Sequence, residues 1–131
     1  MPEVIRDAPS VPGVYLFRQG GVLVYVGMAG ERSGKGLRGR LSIYVSGRAP
    51  HSGLGNLALE RALADPGFLH KRLTEVEEGA PRGVQAWARA AVQRADLQVA
   101  WATTETREGA AALERAVLDA LADQELWNRL R

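Results

Sequence analysis

The first candidates for chemistry are two tyrosines, Tyr15 in the motif Gly13–Tyr15 and Tyr25 in the motif Tyr25–Gly27. Apolar, β-branched residues surround both tyrosines and a Gly-Gly pair separates them, which predicts a β-hairpin with strands at about 13–18 and 22–27. Because side chains alternate between the faces of a strand, such a hairpin can hold two phenols rigidly at one edge of a small sheet. The alternative is that both tyrosines are ordinary aromatic core residues.

A carboxylate on an apolar helix face is the second candidate. The last long helix is predicted at about 108–123, and Glu114 projects between Leu118 and Leu121 on the helical wheel. Burying a carboxylate is costly unless it is paired or bound to a cation. The position indicates either a ligand for Mg²⁺ or Mn²⁺, or a boundary residue that pairs with an arginine. One carboxylate is sufficient for Mg²⁺, which keeps several of its waters, and the sequence lacks the converging carboxylates of a two-metal site.

Basic residues are concentrated directly after the second tyrosine motif. The chain has a net charge of +2, yet residues 28–48 contain five basic residues against Glu31 alone. The five are Arg32, Lys35, Arg38, Arg40 and Arg48. A basic loop and helix at this place suit a phosphodiester backbone, and the fork of donors on Arg40 could clamp a phosphate. The alternative is a solvated basic surface.

The elements that must position these residues follow from the pattern along the chain. Residues 1–11 are expected to be an extended lead-in. After the hairpin, helices are predicted at about 37–45, 54–64, 65–78 and 82–94, then a third strand from Leu97 to Trp101 and the helix at 108–123. This order predicts an α+β fold, a three-stranded antiparallel sheet flanked by helices in a single domain of 131 residues. The segment at about 46–94 is a helical insertion, in which the apolar residues Leu69, Leu73, Val76 and Trp87 are expected to be core.

The order of the candidate residues, Tyr15, Tyr25, Arg40, Tyr44, Glu114 and Asn128, resembles the GIY-YIG nuclease superfamily. The resemblance covers roughly residues 12–44 and 97–128. It implies a metal-dependent endonuclease that hydrolyses DNA phosphodiester bonds by a one-metal mechanism, with Mg²⁺ or Mn²⁺ bound by Glu114.

The resemblance also implies a role for each of the other residues. Tyr15 would take a proton from the attacking water, although a free phenol has a pKa near 10 that must be lowered or assisted by a metal-bound water. Tyr25 would orient the phosphate or a water, and Arg40 would clamp the phosphate. Tyr44 lies four residues after the arginine, at the position where members of the superfamily carry a histidine or a tyrosine. Asn128 would brace the site, with a helix C-cap or turn as its alternative role.

The expected nucleic-acid contacts lie around the second motif. Gly27 would let the backbone approach phosphate closely or turn sharply, and the basic side chains expected to contact DNA are Arg32, Lys35, Arg38 and Arg48. The chain departs from many members of the superfamily at Met28, where they carry a lysine.

Composition excludes several other classes. The chain has no cysteine, so neither a disulfide framework nor a thiolate metal site is expected, in keeping with a reducing cytoplasm. No uncharged run is long enough for a membrane span, and the glycines of 30–36 lack the spacing and the Ser or Thr of a nucleotide-binding loop. Two alternatives to a nuclease stay open: a nucleic-acid-binding module of the same fold with little turnover, and a structural or interaction protein. A homodimer or an accessory protein is a natural partner for an enzyme that cuts both strands.

Overall fold

The computed structural model describes residues 2–30, 36–45 and 53–127, with the backbone alone at 2, 3, 44 and 45. The described elements are α1 (Pro2–Arg6), β1 (Gly13–Gln19), β2 (Val22–Ala29), α2 (Gly36–Val45), α3 (Gly53–Ala62), α4 (Pro66–Glu77), α5 (Val84–Ala95), β3 (Gln98–Thr103) and α6 (Arg107–Ala120). The predicted α+β fold with a three-stranded antiparallel sheet is confirmed. The expected extended lead-in is wrong at its start, where α1 forms one short helix.

The chain divides into two compact units. One consists of Met1–Ser42 together with Asp96–Arg131, and the other of Ile43–Ala95. The sheet and α6 belong to the first, and α3, α4 and α5 make up the second, which corresponds closely to the helical insertion predicted at about 46–94. The interpretation of the whole chain as one domain stays a prediction.

The sheet has the strand order β2–β1–β3, so β1 is hydrogen-bonded on both sides. Gly20 and Gly21 close the hairpin with φ angles of 58° and 86°, in the left-handed region that glycine adopts without steric cost. The register shifts between Phe17 and Arg18, because Phe17 pairs with Tyr25 while Arg18 pairs with Leu23. This bulge leaves Val24 as the extra residue and lies directly beside Tyr25, where it sets the face to which that side chain points.

The start of α2 is attached to the lead-in segment. The backbone N–H of Leu37 donates to the carbonyl of Val11 at 2.9 Å, and that of Arg38 donates to the carbonyl of Pro9 at 3.0 Å. The first N–H groups of a helix have no partner within the helix, so these bonds satisfy them and fix where α2 begins. The position of Arg40, one turn further on, follows from this attachment.

The two faces of the sheet carry different side chains. On one face, Val14 and Val26 form a core cluster with Leu126, and α6 packs its apolar side chains Leu113, Val117, Leu118 and Leu121 against that cluster. Strand alternation sends Tyr15, Phe17 and Tyr25 to the opposite face, where all three are buried. The helical wheel therefore identified correctly the face of α6 that packs against the sheet.

In the second unit, α3 packs against α5. Both helices carry buried alanines, Ala58 and Ala62 on α3 and Ala88 and Ala91 on α5, and these small side chains permit a close approach of the two helices.

One expectation about α4 is wrong. Leu69, Leu73 and Val76, which were expected to be core, are 42%, 51% and 54% exposed. On α4 the buried large side chain is instead Phe68. Helical periodicity identified an apolar face but could not tell whether another element covers it.

We expect Asp65 to stabilise the second unit through its charge as well as through its capping oxygen. Its Oδ1 accepts from the N–H of Gly67 at 3.0 Å, and its Oδ2 accepts from Arg94 Nε at 2.9 Å. The Arg94 guanidinium, with a smaller contribution from the Gly67 amide, lowers the pKa of Asp65 below its ordinary value of 3.8. At neutral pH the unfolding midpoint should fall modestly from wild type to Asp65→Asn, which can still cap, and further to Asp65→Ala.

A lowered pKa means that the folded protein stabilises the ionised Asp65 carboxylate and not the protonated one. The difference in free energy of unfolding between wild type and Asp65→Asn should therefore be full above pH 3.8 and disappear as the pH falls through the lowered pKa. Urea unfolding of the three proteins at neutral and acidic pH measures this. Equal stability of wild type and Asp65→Asn at neutral pH would contradict it.

Candidate functional site

The structure brings the two motif tyrosines together. The rings of Tyr15 and Tyr25 are stacked with centroids 6.4 Å apart and planes 16° apart. Phe17 packs edge-on against both rings, at 5.8 Å from Tyr15 and 6.2 Å from Tyr25. The two tyrosines are 2% and 7% exposed, so both rings are also part of the core. Such a triad holds each ring in one orientation, which is what a positioned phenol needs.

Gly27 has a packing role that the sequence did not indicate. It pairs with Tyr15 across the hairpin, and the Tyr15 ring lies directly over it. A Cβ at position 27 would lie 2.5 Å from Tyr15 Cζ and Oη and 2.7 Å from Cε2. Atoms cannot approach so closely, so only glycine leaves room for the phenol in this orientation. The glycine of the second motif therefore positions the tyrosine of the first.

Glu114 is half-buried on α6, beside the leucines that pack on the sheet. Desolvation raises the pKa of its carboxyl above the ordinary value of 4.5. Within the described ranges 2–30, 36–45 and 53–127, no hydrogen bond or ion pair to this carboxylate occurs. In that part of the chain the pairing with an arginine, one of the two interpretations of this residue, is not seen.

Arg40 and Arg38 are both exposed on α2. The Nε of Arg38 donates to the carbonyl of Ala8 at 2.8 Å, so Arg38 ties α2 to the lead-in segment. Arg40 was expected to clamp a phosphate, and its exposure leaves that role available. Tyr44 lies in the last turn of α2, and its side chain lies outside the described part of the structure. The predicted residues Arg32, Lys35, Arg48 and Asn128 lie outside the described residues altogether.

The tyrosine rings and α6 occupy opposite faces of the sheet. Tyr15 and Tyr25 point away from Val14 and Val26, against which α6 packs. The sheet therefore brings the two tyrosines together, and it holds Glu114 on its other face. β2 is at the edge of the three-stranded order, and most of its residues are buried, since the segment that ends at Trp127 contacts it through a hydrogen bond from the Trp127 N–H to the carbonyl of Val24 at 2.6 Å.

Sequence reasoning did not select Arg107, the first residue of α6. Its side chain lies over Gly30, the residue after β2. The contact is so close that a Cβ added to Gly30 would lie 2.8 Å from Arg107 Cδ. The signal in the sequence was a basic residue directly after the N-cap Thr106, where the helix dipole favours acidic residues. Arg107 thus places an exposed positive charge where β2 ends and the predicted basic loop begins.

In the part of the chain that the structure describes, no helix is both long and apolar enough to cross a membrane. No protein-family model and no curated protein sequence matches the chain.

Solved structures do match it. One is the GIY-YIG N-terminal endonuclease domain of UvrC from Thermotoga maritima bound to its catalytic divalent cation, magnesium, with a TM-score of 0.51 and 20% identity over 98% of this chain and 94% of that chain. This chain has a GIY-YIG-like fold. Two tyrosine-to-phenylalanine point mutants of the same UvrC domain, each bound to its catalytic divalent cation, match with TM-scores of 0.51 and 19% identity over the same shares of both chains.

We expect Gly27→Ala to destabilise this GIY-YIG-like sheet by about 1–3 kcal/mol, the usual cost of overpacking a filled core. The added methyl group collides with the Tyr15 ring carbons as well as with its hydroxyl. The penalty should therefore persist when Tyr15 is replaced by Phe and shrink when Tyr15 is replaced by Ala. Urea unfolding of the single and double variants gives the coupling between the two positions.

The control is Gly67→Ala in the first turn of α4, because a Cβ there meets only the Asp65 carboxylate oxygens, at 3.5 and 4.0 Å, which are ordinary contacts, and alanine is favourable within a helix. A Gly27→Ala protein as stable as Gly67→Ala, or a penalty that is unchanged without the Tyr15 ring, would show that the ring does not require glycine at position 27.

Proposed function

We propose that this chain is a metal-dependent endonuclease that hydrolyses DNA phosphodiester bonds by a one-metal mechanism. The observation that carries the proposal is the Glu114 carboxylate, which is half-buried with a raised pKa and has no basic partner in the described residues. A carboxylate in that environment is costly unless a cation binds it. The GIY-YIG-like fold supports the proposal, since the UvrC domain with that fold is bound to magnesium.

The chemistry of the donor set fits Mg²⁺. In the described part of the chain no group of three or more His, Cys, Asp or Glu side chains could hold a metal ion. A tetrahedral zinc site needs at least three protein ligands, whereas Mg²⁺ keeps several waters and takes one or two carboxylates with substrate phosphate. Glu114 would hold Mg²⁺, or Mn²⁺ in its place. The bound ion would polarise the scissile phosphate and stabilise the departing oxygen.

The other side chains have distinct tasks in this proposal. The Tyr15 side chain, as a phenolate that has given its own proton to solvent, would accept a proton from the attacking water and release it to solvent afterwards, and Tyr25 would orient the phosphate or that water. Arg40 neutralises the phosphate, with Tyr44 beside it on α2 and Asn128 as a brace.

Substrate binding is proposed to use the basic side chains near the second motif. DNA would contact Arg32, Lys35, Arg38 and Arg48, and Arg107 adds a charge at the end of β2. Gly27, which was also expected to meet phosphate, is buried beneath the Tyr15 ring and is not part of this surface. The expected location, the cytoplasm, stays a prediction.

One observation favours the alternative, a nucleic-acid-binding module with little turnover. Tyr15 and Tyr25 are 2% and 7% exposed and form one aromatic cluster with Phe17. Rings so deeply packed would serve as scaffold if their hydroxyl groups do not meet substrate. The lysine expected after the second motif is Met28, which removes one phosphate contact.

The first experiment is a nicking and cleavage assay with supercoiled plasmid and branched DNA in Mg²⁺ or Mn²⁺. We expect wild type to cut and EDTA to stop it. Glu114→Gln should lower the rate by at least about 100-fold, because a Lewis acid supplies several kcal/mol of transition-state stabilisation. Tyr15→Phe should lower it by about 100- to 10,000-fold, the range for general acid–base groups.

The matched control is Glu108→Gln, because Glu108 is an exposed acid in the first turn of the same helix. Wild type that binds DNA in a salt-sensitive manner but never cuts it would establish the alternative function. Neither cutting nor binding would overturn both.

We expect Glu114→Gln to stabilise the metal-free protein. Burial raises the pKa of Glu114 above 4.5, so the folded state must accommodate an unfavourable charge once the pH exceeds the raised value. A raised carboxyl pKa adds stability that is present at low pH and is lost as the pH rises through the folded pKa. In EDTA, Glu114→Gln should therefore melt higher than wild type at neutral pH, and the difference should vanish below pH 4.5.

Saturating Mg²⁺ should raise the melting temperature of wild type, because an ion that binds the folded state stabilises it. The melting temperature of Glu114→Gln should not change, because this variant lacks the carboxylate that would bind the ion. Thermal unfolding monitored by circular dichroism measures both effects. A variant that melts below wild type in EDTA at neutral pH would show that the carboxylate already has a stabilising partner.

A further inference from the structure

Helix α4 has an exposed apolar stripe. Leu69, Leu73 and Val76 follow one another at intervals of four and three residues, so they lie in one row along the helix. They are 42%, 51% and 54% exposed. Single exposed apolar residues are ordinary on protein surfaces, whereas three in one row on a helix of 12 residues are typical of an interaction surface.

On one flank of this stripe the acidic residue is already paired within the chain. Glu75 lies between two arginines, with Arg72 Nε 3.1 Å from its Oε1 and Arg82 Nε 3.7 Å from its Oε2. Arg72 Nε and Glu75 Oε1 are close but are not aligned for a hydrogen bond. The hydrogen bond between these two side chains is donated by Arg72 Nη2 to Glu75 Oε2 at 3.2 Å. Arg72 also covers the Phe68 ring, with its guanidinium carbon 4.6 Å from the centroid. The Glu75 carboxylate is therefore already paired within the chain, and this flank keeps one positive charge in excess, since two arginines face one carboxylate.

The other flank is self-complementary. His70 follows Leu69 by one residue and Glu77 follows Val76 by one residue, so both project from the same side of the stripe. Both are exposed. They lie on either side of the middle of the stripe, at equal distances from the Leu73–Thr74 peptide. When two such helices lie antiparallel about a twofold axis, this flank of one helix meets the same flank of the other, so the basic position of each meets the acidic position of its partner. In a parallel arrangement this flank would face the other flank of the partner instead, and the two positions would not pair.

We propose that α4 docks against α4 of a second copy of this chain, antiparallel, with the twofold axis passing near Leu73. The apolar stripes bury each other, and His70 of each copy pairs with Glu77 of the other. A nucleic acid is disfavoured as the occupant because the stripe is apolar and its flanks carry acids as well as bases. The proposal does not rest on the nuclease activity.

The association should be weak. The 12-residue helix is about 18 Å long, so this contact alone buries less than the ~1,200 Å² of the smaller stable interfaces. A dissociation constant on the order of 10 μM to 1 mM is therefore expected.

Sedimentation velocity from low micromolar to millimolar concentration, on wild type and two leucine variants, tests the surface. Leu73→Glu should raise the dissociation constant by at least about tenfold, because it places two carboxylates at the axis. The control is Leu63→Glu, the same change at a residue that is 41% exposed on the turn before α4, and it should dimerise like wild type. Both leucines are exposed, so both variants should keep the fold, which circular dichroism verifies.

Charge reversal tests the register. His70→Glu makes the flank wholly acidic, and Glu77→Lys makes it wholly basic, so each variant alone should dimerise more weakly than wild type. A mixture of the two, or the double variant His70→Glu/Glu77→Lys, should recover association, because both arrangements restore opposite charges across the axis.

Because the chain has no cysteine, single introduced cysteines report the orientation without background. Leu73→Cys lies near the axis and should form a disulfide-linked dimer under mild oxidation. In the antiparallel arrangement two copies of Leu69→Cys are about 12 Å apart along the helix, too far for a disulfide, whereas a parallel pair would link at both positions. Wild type that stays monomeric at millimolar concentration, or Leu73→Glu that associates as well as Leu63→Glu, overturns the proposal.

Discussion

The layout of the sheet unit depends on the central strand β1, which is hydrogen-bonded to β2 on one side and β3 on the other. Since its side chains alternate, β1 determines both faces at once. Val14 and Leu16 belong to the cluster that receives α6, while Tyr15 and Phe17 build the aromatic cluster on the opposite face. Val14 and Tyr15 of the first motif therefore have packing roles as well as any role in chemistry.

The same strand explains why the two motifs occur together. Tyr15 crosses the hairpin and lies over Gly27, and its ring stacks on Tyr25. The tyrosine of one motif thus requires the glycine of the other, because a side chain at position 27 would occupy the volume of the phenol. The bulge beside Tyr25 contributes to this arrangement by setting the face to which that ring points.

Glu114 shows the opposite relation between packing and chemistry. Its neighbours Leu113, Val117 and Leu118 stabilise the contact of α6 with the sheet, whereas its own carboxylate is desolvated and has a raised pKa. A glutamine would fit the same place without the charge. We expect such an acid to lower the stability of the metal-free fold, which is typical of residues that bind an ion or take part in chemistry.

Much of this protein could be predicted from its sequence. Hydrophobic periodicity identified the strands, the helices from α2 onward and the insertion, because alternation and 3.6-residue repeats are local properties. The helical wheel also indicated the packed face of α6 and the unusual position of Glu114. For the candidate site, the sequence predicted which residues are chemically capable, and the structure joined Tyr15 to Tyr25.

Only the tertiary structure decided which apolar faces are covered and which distant residues touch. Leu69, Leu73 and Val76 have the periodicity of core residues but are exposed. Burial depends on whether another segment covers the helix, and the sequence of the helix alone does not determine that. The contact of Tyr15 with Gly27 depends on strand register, and the contact of Gly30 with Arg107 joins residues far apart in the chain. The sequence by itself determined the elements and their apolar faces, while the covering of each face and the partners of each side chain arose from packing between segments distant along the chain.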